Sequence, residues 1–300
     1  HELAHQWFGN LVTQEAEEHH WLHEGFATYY ALLAEKEIFG DNYYYWKLYE
    51  SAERLKELSD TGKGEVLMRK GGSSLTYYQK GAWALHILRE KVGDEAFKTA
   101  VRNYLELYAY QNVNTDNFIA EVERASGQDL SGFIADWLKQ TAFQGTDALN
   151  SLEQSEFMRN YLDIAALRES PLEQKSHLLR SALQKPVNDY IGQEVVFQLA
   201  GETSTEAFQL YKLAFQSENI FVRQAIALSM DEIPQQLRPD YESLLNDKSW
   251  LTIEAALTNL WMQFPQENTR YLQETRGLPG FTDRNLRILW LTLNLATPAF

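Results

Sequence analysis

Cysteine is absent from the 300-residue sequence, which removes disulfide staples, thiolate metal sites and cysteine nucleophiles together. A chain without thiols is stable in either redox environment, so this absence fixes no compartment. No apolar run approaches the roughly 18 residues that a membrane span requires, and no membrane segment is expected. Positive charge is scarce: 27 Lys and Arg stand against 42 Asp and Glu, for a formal net charge of −15 and a pI near 4.9. A surface of that sign repels phosphate backbones and anionic headgroups, so nucleic acid is excluded as a partner. An initiator Met and a signal-like segment are lacking too, because the sequence opens on His1. It reads as the back part of a longer protein whose amino-terminal half is missing, and localisation is not legible from it.

Helical periodicity fills the sequence instead. Apolar residues recur at spacings of three and four from His1 to about Gly9, and again from Trp21 to about Phe39. Gly40–Trp46 reads as a turn followed by an aromatic cluster, and residues 57–76 as mixed, loop-punctuated chain. Helices are predicted from about Tyr78 to Val92, from about Asp94 to Tyr108, and from an Asn114 cap to Ser126, with a further one carrying Trp137. A break falls at 143–147, beyond which strand signals disappear. There the chain looks like helix pairs separated by Pro171, Pro186, Pro234, Pro239 and Pro265. The segment from Ile220 resembles the one from Trp250, a spacing of about 30 residues that suits HEAT- or armadillo-like helical hairpins. The expected fold class is all-α, with one domain over 1–145 and an α-helical repeat domain over 146–300. Trp250, Trp261 and Trp290 are expected to pack in the core of the second.

The chemistry concentrates at the start, in His1-Glu2-Leu3-Ala4-His5. On a helix, positions i and i+4 share a face, so both imidazoles can reach one metal. Glu2 then stands where a carboxylate can take a proton from water acidified by zinc. A catalytic zinc needs a third protein ligand and an open position, and Glu24, on the next helix, is the natural candidate. His19, His20 and His23 crowd the same stretch and read better as a His-rich polar loop, or as partners orienting the ligands, than as a fourth ligand.

The wording around these residues carries a resemblance. His1-Glu2-Leu3-Ala4-His5-Gln6-Trp7-Phe8-Gly9-Asn10-Leu11-Val12-Thr13 resembles the zinc-binding helix of the aminopeptidase N and leukotriene hydrolase family, and Trp21-Leu22-His23-Glu24-Gly25-Phe26-Ala27 resembles its second zinc helix. His23 stands where that family usually has Asn, and Ala16 and Glu17 where it tends to have paired Trp. Tyr78-Gln79-Lys80-Gly81-Ala82 is similar to the family's Tyr-x-Lys-Gly-Ala segment, which by that match makes Tyr78 the donor to the oxyanion. Tyr77 is the adjacent confounder, but neighbouring helical positions diverge by about 100°, so only one of the two can face the metal.

The resemblance extends over about 1–138. It implies the carboxy-terminal helical half of a thermolysin-like catalytic domain. It also implies one zinc ion per chain, held by His1, His5 and Glu24, with Glu2 as general base. The implied activity is removal of amino-terminal residues from peptides. The family's Gly-Ala-Met-Glu-Asn motif, which anchors the substrate amine, does not occur in these 300 residues, so the chain by itself is expected to be inactive. A rival reading is a non-catalytic helical-repeat scaffold that binds peptides or proteins and carries a vestigial metal site; the intact Glu2 speaks against it. Arg223, Arg284 and Arg287 are examples of residues able to meet a peptide carboxylate, and the sequence does not choose among them.

Overall fold

A computed structural model describes residues 1–277 and 284–298. By contact the chain divides into two compact units, His1–Arg159 and Asn160–Phe300. The architecture is all-α except for one pair of three-residue strands among the described residues.

The first unit is built on five helices: α1 (Trp21–Phe39), α2 (Asp41–Asp60), α3 (Gly81–Val92), α4 (Asp94–Leu107) and α5 (Thr115–Ser126). Gly40 separates α1 from α2 and Gly93 separates α3 from α4, at φ of 86° and 85°, a region that side-chain-bearing residues resist. The break expected over Gly40–Trp46 is thus confined to Gly40. The aromatic residues after it lie in α2, where Tyr44, Leu48 and Leu55 form a buried stripe at helical spacing. Asn114 caps α5 as expected: its side chain accepts from the Asn117 N–H, and Asn117 reciprocates at the Asn114 N–H.

Two elements differ from the periodicity. The segment from His1 to Gly9 forms no α-helix; it closes as a 3-10 turn over Ala4–Gln6. Gly9, at φ 148°, turns the chain into strand β1 (Val12–Gln14). That strand pairs in parallel with β2 (Gln111–Val113), Val12 opposite Gln111 and Gln14 opposite Val113. The helix predicted from Tyr78 begins instead with a π-helical turn over Leu75–Lys80, which runs directly into α3. Such wide turns recur at functional sites because they displace a side chain from the regular helical register.

Large aromatics fill the core of this unit, with Trp21, Phe26, Tyr104 and Phe118 fully buried. Phe8 stacks on Phe26 of α1 at 4.2 Å between ring centres. A short turn that could not hold itself by backbone hydrogen bonds alone is thereby pinned to a long helix.

The second unit is a two-layer helical repeat. Asp189–Gln198, Ile220–Ser229, Trp250–Gln263 and Arg284–Ala296 pack successively side by side, and Leu172–Ala182, Thr205–Phe215, Arg238–Glu242 and Asn268–Thr275 alternate with them along the chain. The matching segments noticed at Ile220 and Trp250 start equivalent helices. Their caps match as well: Asn188, Asn219 and Ser249 each accept from N–H groups of the turn that follows. Trp290 is buried in the core and Trp261 packs against it, whereas Trp250 is only half-buried and lies outside that cluster.

Glu194 is buried in this unit and takes both guanidinium arms of Arg168, at 2.8 Å each. Burial opposes its ionisation, but hydrogen bonds from Arg168 and Gln198 outweigh it and hold the carboxyl below its ordinary range. The pair's contribution is therefore fully present above the unfolded-chain value of 4.5 and is lost as pH falls through the lower folded value. Arg168→Leu is expected to cost about 1–3 kcal/mol at neutral pH, since it orphans a buried carboxylate. Urea titrations at a series of pH values should show that deficit shrinking below pH 4.5; a pH-independent deficit would contradict the assignment.

Candidate metal centre

His5 donates from Nδ1 to the carbonyl of Phe8 at 3.0 Å. A carbonyl can only accept, so the bond fixes the tautomer and leaves the Nε2 lone pair free. That Nε2 stands 3.2 Å from Nε2 of His1. Glu24, in the first turn of α1, brings Oε2 to 3.2 Å from His1 Nε2 and 3.5 Å from His5 Nε2. Oε2 is buried and accepts no hydrogen bond in good geometry. Two imidazole nitrogens and one orphaned carboxylate oxygen thus converge within 4.8 Å, a donor set and spacing that fit zinc. No other such group occurs among the described residues.

Tyr78 completes the cluster. Its ring lies parallel to His1, 5.3 Å between centres and 7° between planes. Burial, then the Glu24 carboxylate beside it, then the charge of Glu2 raise its pKa above the usual 10.0, so at neutral pH it is a hydrogen-bond donor. Tyr77 turns the other way: it is buried, donates to the Arg69 carbonyl at 2.6 Å and accepts from the Gly72 N–H at 2.8 Å. Glu2 is exposed, within electrostatic reach of Tyr78.

The neighbouring histidines do not join the donor group. His19 Nδ1 is 2.9 Å from the Thr115 hydroxyl. His23 Nε2 accepts from the Gln14 N–H at 2.9 Å; burial and the nearby His20 push its pKa down to about 4, consistent with a neutral acceptor. Lys80 is an anchor: its buried ammonium donates to the carbonyls of Glu65 and Gln140 at 2.8 and 2.7 Å and so fixes the end of the π-helical turn.

Two glycines set the distance between the halves of the site. A Cβ on Gly25 would stand 3.0 Å from the Gly81 backbone, and one on Gly81 2.9 Å from Cα of Gly25. Gly25 follows Glu24, and Gly81 comes three residues after Tyr78, so this backbone contact brings the carboxylate and the phenol together. Both glycines lie in the motif segments, but their contact was not legible, because two glycines on different helices carry no periodic signal. A cavity of about 200 Å³ adjoins His1, lined among others by Thr28, Glu35, Arg54 and Gln79.

A family model described as the peptidase family M1 domain matches residues 1–137. Those residues belong to peptidase family M1. The chain is 35% identical over 175 residues to Aminopeptidase M1 of Arabidopsis thaliana, a match covering 53% of this chain and 20% of the relative. It is 33% identical over 152 residues to the leucyl aminopeptidase of Saccharolobus solfataricus, covering 48% and 19%. The match thus spans about a fifth of the length of these M1 relatives. Among solved structures, an M1 zinc metallopeptidase of Deinococcus radiodurans, a mutant bound to a Tyr-Ser-Ala substrate, is 30% identical at a TM-score of 0.42, covering 47% of this chain and 32% of that one. Native yeast LTA4 hydrolase is 16% identical at a TM-score of 0.41, covering 92% and 53%.

Alanine at Gly25 or at Gly81 is expected to destabilise the first unit by about 1–3 kcal/mol through overpacking. Alanine at Gly132, where an added Cβ meets nothing within 4 Å, should be neutral or stabilising. Chemical denaturation of the three variants checks this, and equal effects at Gly25 and Gly132 would contradict the close contact.

Proposed function

We propose that this chain carries the metal site and catalytic side chains of a zinc aminopeptidase acting on peptides. The observation that carries the proposal is the convergence of His1, His5 and the orphaned Oε2 of Glu24, with the Tyr78 phenol stacked beside them. His1, His5 and Glu24 would hold the ion. Zinc bound there would acidify a water and polarise the scissile carbonyl.

The chain's own groups supply the rest. The Glu2 carboxylate takes the proton of the attacking water and passes it to the departing amine, a role worth about 10²–10⁴-fold. The Tyr78 O–H donates to the oxygen on which negative charge develops, worth about 10²–10³-fold. Neither group need be charged and buried beforehand: Glu2 is exposed and Tyr78 is neutral. We further propose that residues 1–300 alone turn over poorly, because the M1 relatives are about five times longer than the matched region.

Elemental analysis after dialysis against metal-free buffer should find about one zinc per chain, lost in Glu24→Ala. A longer protein containing this chain should hydrolyse aminoacyl-coumarins to the amino acid and free aminocoumarin, at a rate reduced at least 10²-fold by Glu2→Gln and about 10²-fold by Tyr78→Phe. Zinc-free longer protein would overturn the aminopeptidase reading. Brisk turnover by the 300-residue chain, abolished by Glu2→Gln, would overturn its proposed inactivity alone.

A further inference from the structure

Exposed apolar side chains scattered singly over a surface need no explanation. In the second unit they recur at one position of the repeat. Phe197, Leu228, Met262 and Leu295 are each the penultimate residue of their helix, and they are 52%, 53%, 57% and 92% exposed. Two places further on, Leu199, Met230, Phe264 and Thr297 are buried, so the four positions are equivalent by burial as well as by count. Hydrogen bonds keep the helix ends level. Asn219, capping one helix, donates to the Val187 carbonyl at 3.1 Å and to the Asp189 carboxylate at 2.6 Å, at the start of its neighbour. At the other end Gln263 donates to the Asp231 carbonyl at 3.0 Å and accepts from the Ile233 N–H at 2.9 Å, and Trp261 Nε1 lies 2.9 Å from the Thr297 hydroxyl. The four helices therefore run in one direction, and the exposed side chains form a row across their carboxy-terminal ends.

The electrostatics of that edge are one-sided. A helix carboxy-terminus carries partial negative charge, which Lys or Arg in the last turn ordinarily offsets. None of the four helices has a basic residue there, whereas two of the helices alternating with them do, Arg180 and Lys212. Glu202, Asp231 and Glu232 follow closely on the first two helices of the row, and none of the three forms an ion pair among the described residues. An apolar row is thus bordered by negative charge.

We infer that this row is a docking surface for a basic amphipathic helix of a partner protein. Adjacent helices in a packed layer lie about 8–10 Å apart. A helix laid across them repeats a face every seventh residue, about 10.5 Å on, whereas alternate residues of an extended strand come only about 7 Å apart. The spacing fits a helix with a large apolar residue at every seventh position, flanked by Lys or Arg that meet the acidic edge. A second copy of the chain is disfavoured, because a net charge of −15 opposes the pairing of two such edges. The surface is independent of the metal site and serves whether or not the chain hydrolyses peptides.

The probe is a fluorescein-labelled synthetic peptide of about 28 residues, long enough to cross four helices, with Leu at every seventh position, Lys beside each Leu and Ala elsewhere. Its anisotropy is titrated with the 300-residue chain and with Leu228→Asp, Met262→Asp and Leu178→Asp, the last a control on the other layer where Leu178 is 41% exposed. The parent and Leu178→Asp should bind alike, and Leu228→Asp and Met262→Asp should each bind at least about tenfold more weakly. The added negative charge favours a basic peptide, so a loss reads the apolar contact. Peptides with the Leu order scrambled, or with Glu for Lys, should also lose at least about tenfold, and thermal melts check that each variant keeps its fold. No binding by the parent, equal binding of the scrambled peptide, or no loss in the two row variants would overturn the inference. Sedimentation showing a dimer of the free chain that Leu228→Asp dissolves would overturn it in favour of a second copy. Adsorption to neutral phosphatidylcholine vesicles, abolished by the same substitution, would overturn it in favour of a lipid surface.

Discussion

The backbone contact between Gly25 and Gly81 is the constraint on which the site depends. Glu24 and Tyr78 lie 54 positions apart in sequence, on elements that meet only because neither helix carries a Cβ at the crossing. Side chains there would separate the helices by roughly the width of a methyl group. The phenol would then leave the carboxylate and the stacked His1 ring. Everything else in the first unit reinforces that approach: Lys80 clamps the end of the π-helical turn, Tyr77 buries its hydroxyl in the adjoining loop, and Phe8 presses the His1–His5 turn onto Phe26.

The site also illustrates how orphaned polarity marks function. Buried carboxylate oxygens are normally satisfied, because desolvating one without a partner costs a few kcal/mol. Glu24 Oε2 is buried without a well-formed hydrogen bond and faces two imidazole nitrogens, one of which has its proton committed elsewhere. Three electron-pair donors crowding together repel one another unless a proton or a cation lies among them. A divalent ion among them would offset that repulsion.

Much of this was legible in the sequence, for identifiable reasons. The pairing of His1 with His5 was read from α-helical i, i+4 spacing; the segment folds instead with a 3-10 turn over Ala4–Gln6, and the two rings still meet, Nε2 to Nε2, at 3.2 Å. Glu24 could be named because it lies on the next helix, in the Trp21–Ala27 segment that resembles a second zinc helix, and the selection of Tyr78 over Tyr77 followed a motif rather than any property of the residues themselves. The repeat in the second unit was readable from the matched openings at Ile220 and Trp250, which start equivalent capped helices. What stayed hidden depends on contacts distant in sequence: the Gly25–Gly81 crossing, the parallel pairing of two three-residue strands, and the engagement of Arg223 by Asp247 and the Phe215 carbonyl, which commits one of the arginines considered for a peptide carboxylate to holding the repeat together. The π-helical turn was hidden too, because its residues have ordinary helical preferences.

X-ray absorption at the zinc edge, on the zinc-loaded chain, tests the central claim most directly, because it reads the ligands rather than their consequences. The account predicts a first shell with the scattering signature of two imidazoles and additional light oxygen ligands, reduced to imidazole scattering with altered oxygen distances when Glu24 is replaced by Gln. Three or more imidazoles in that shell would mean that a histidine other than His1 and His5 binds the ion, and would contradict the ligand set.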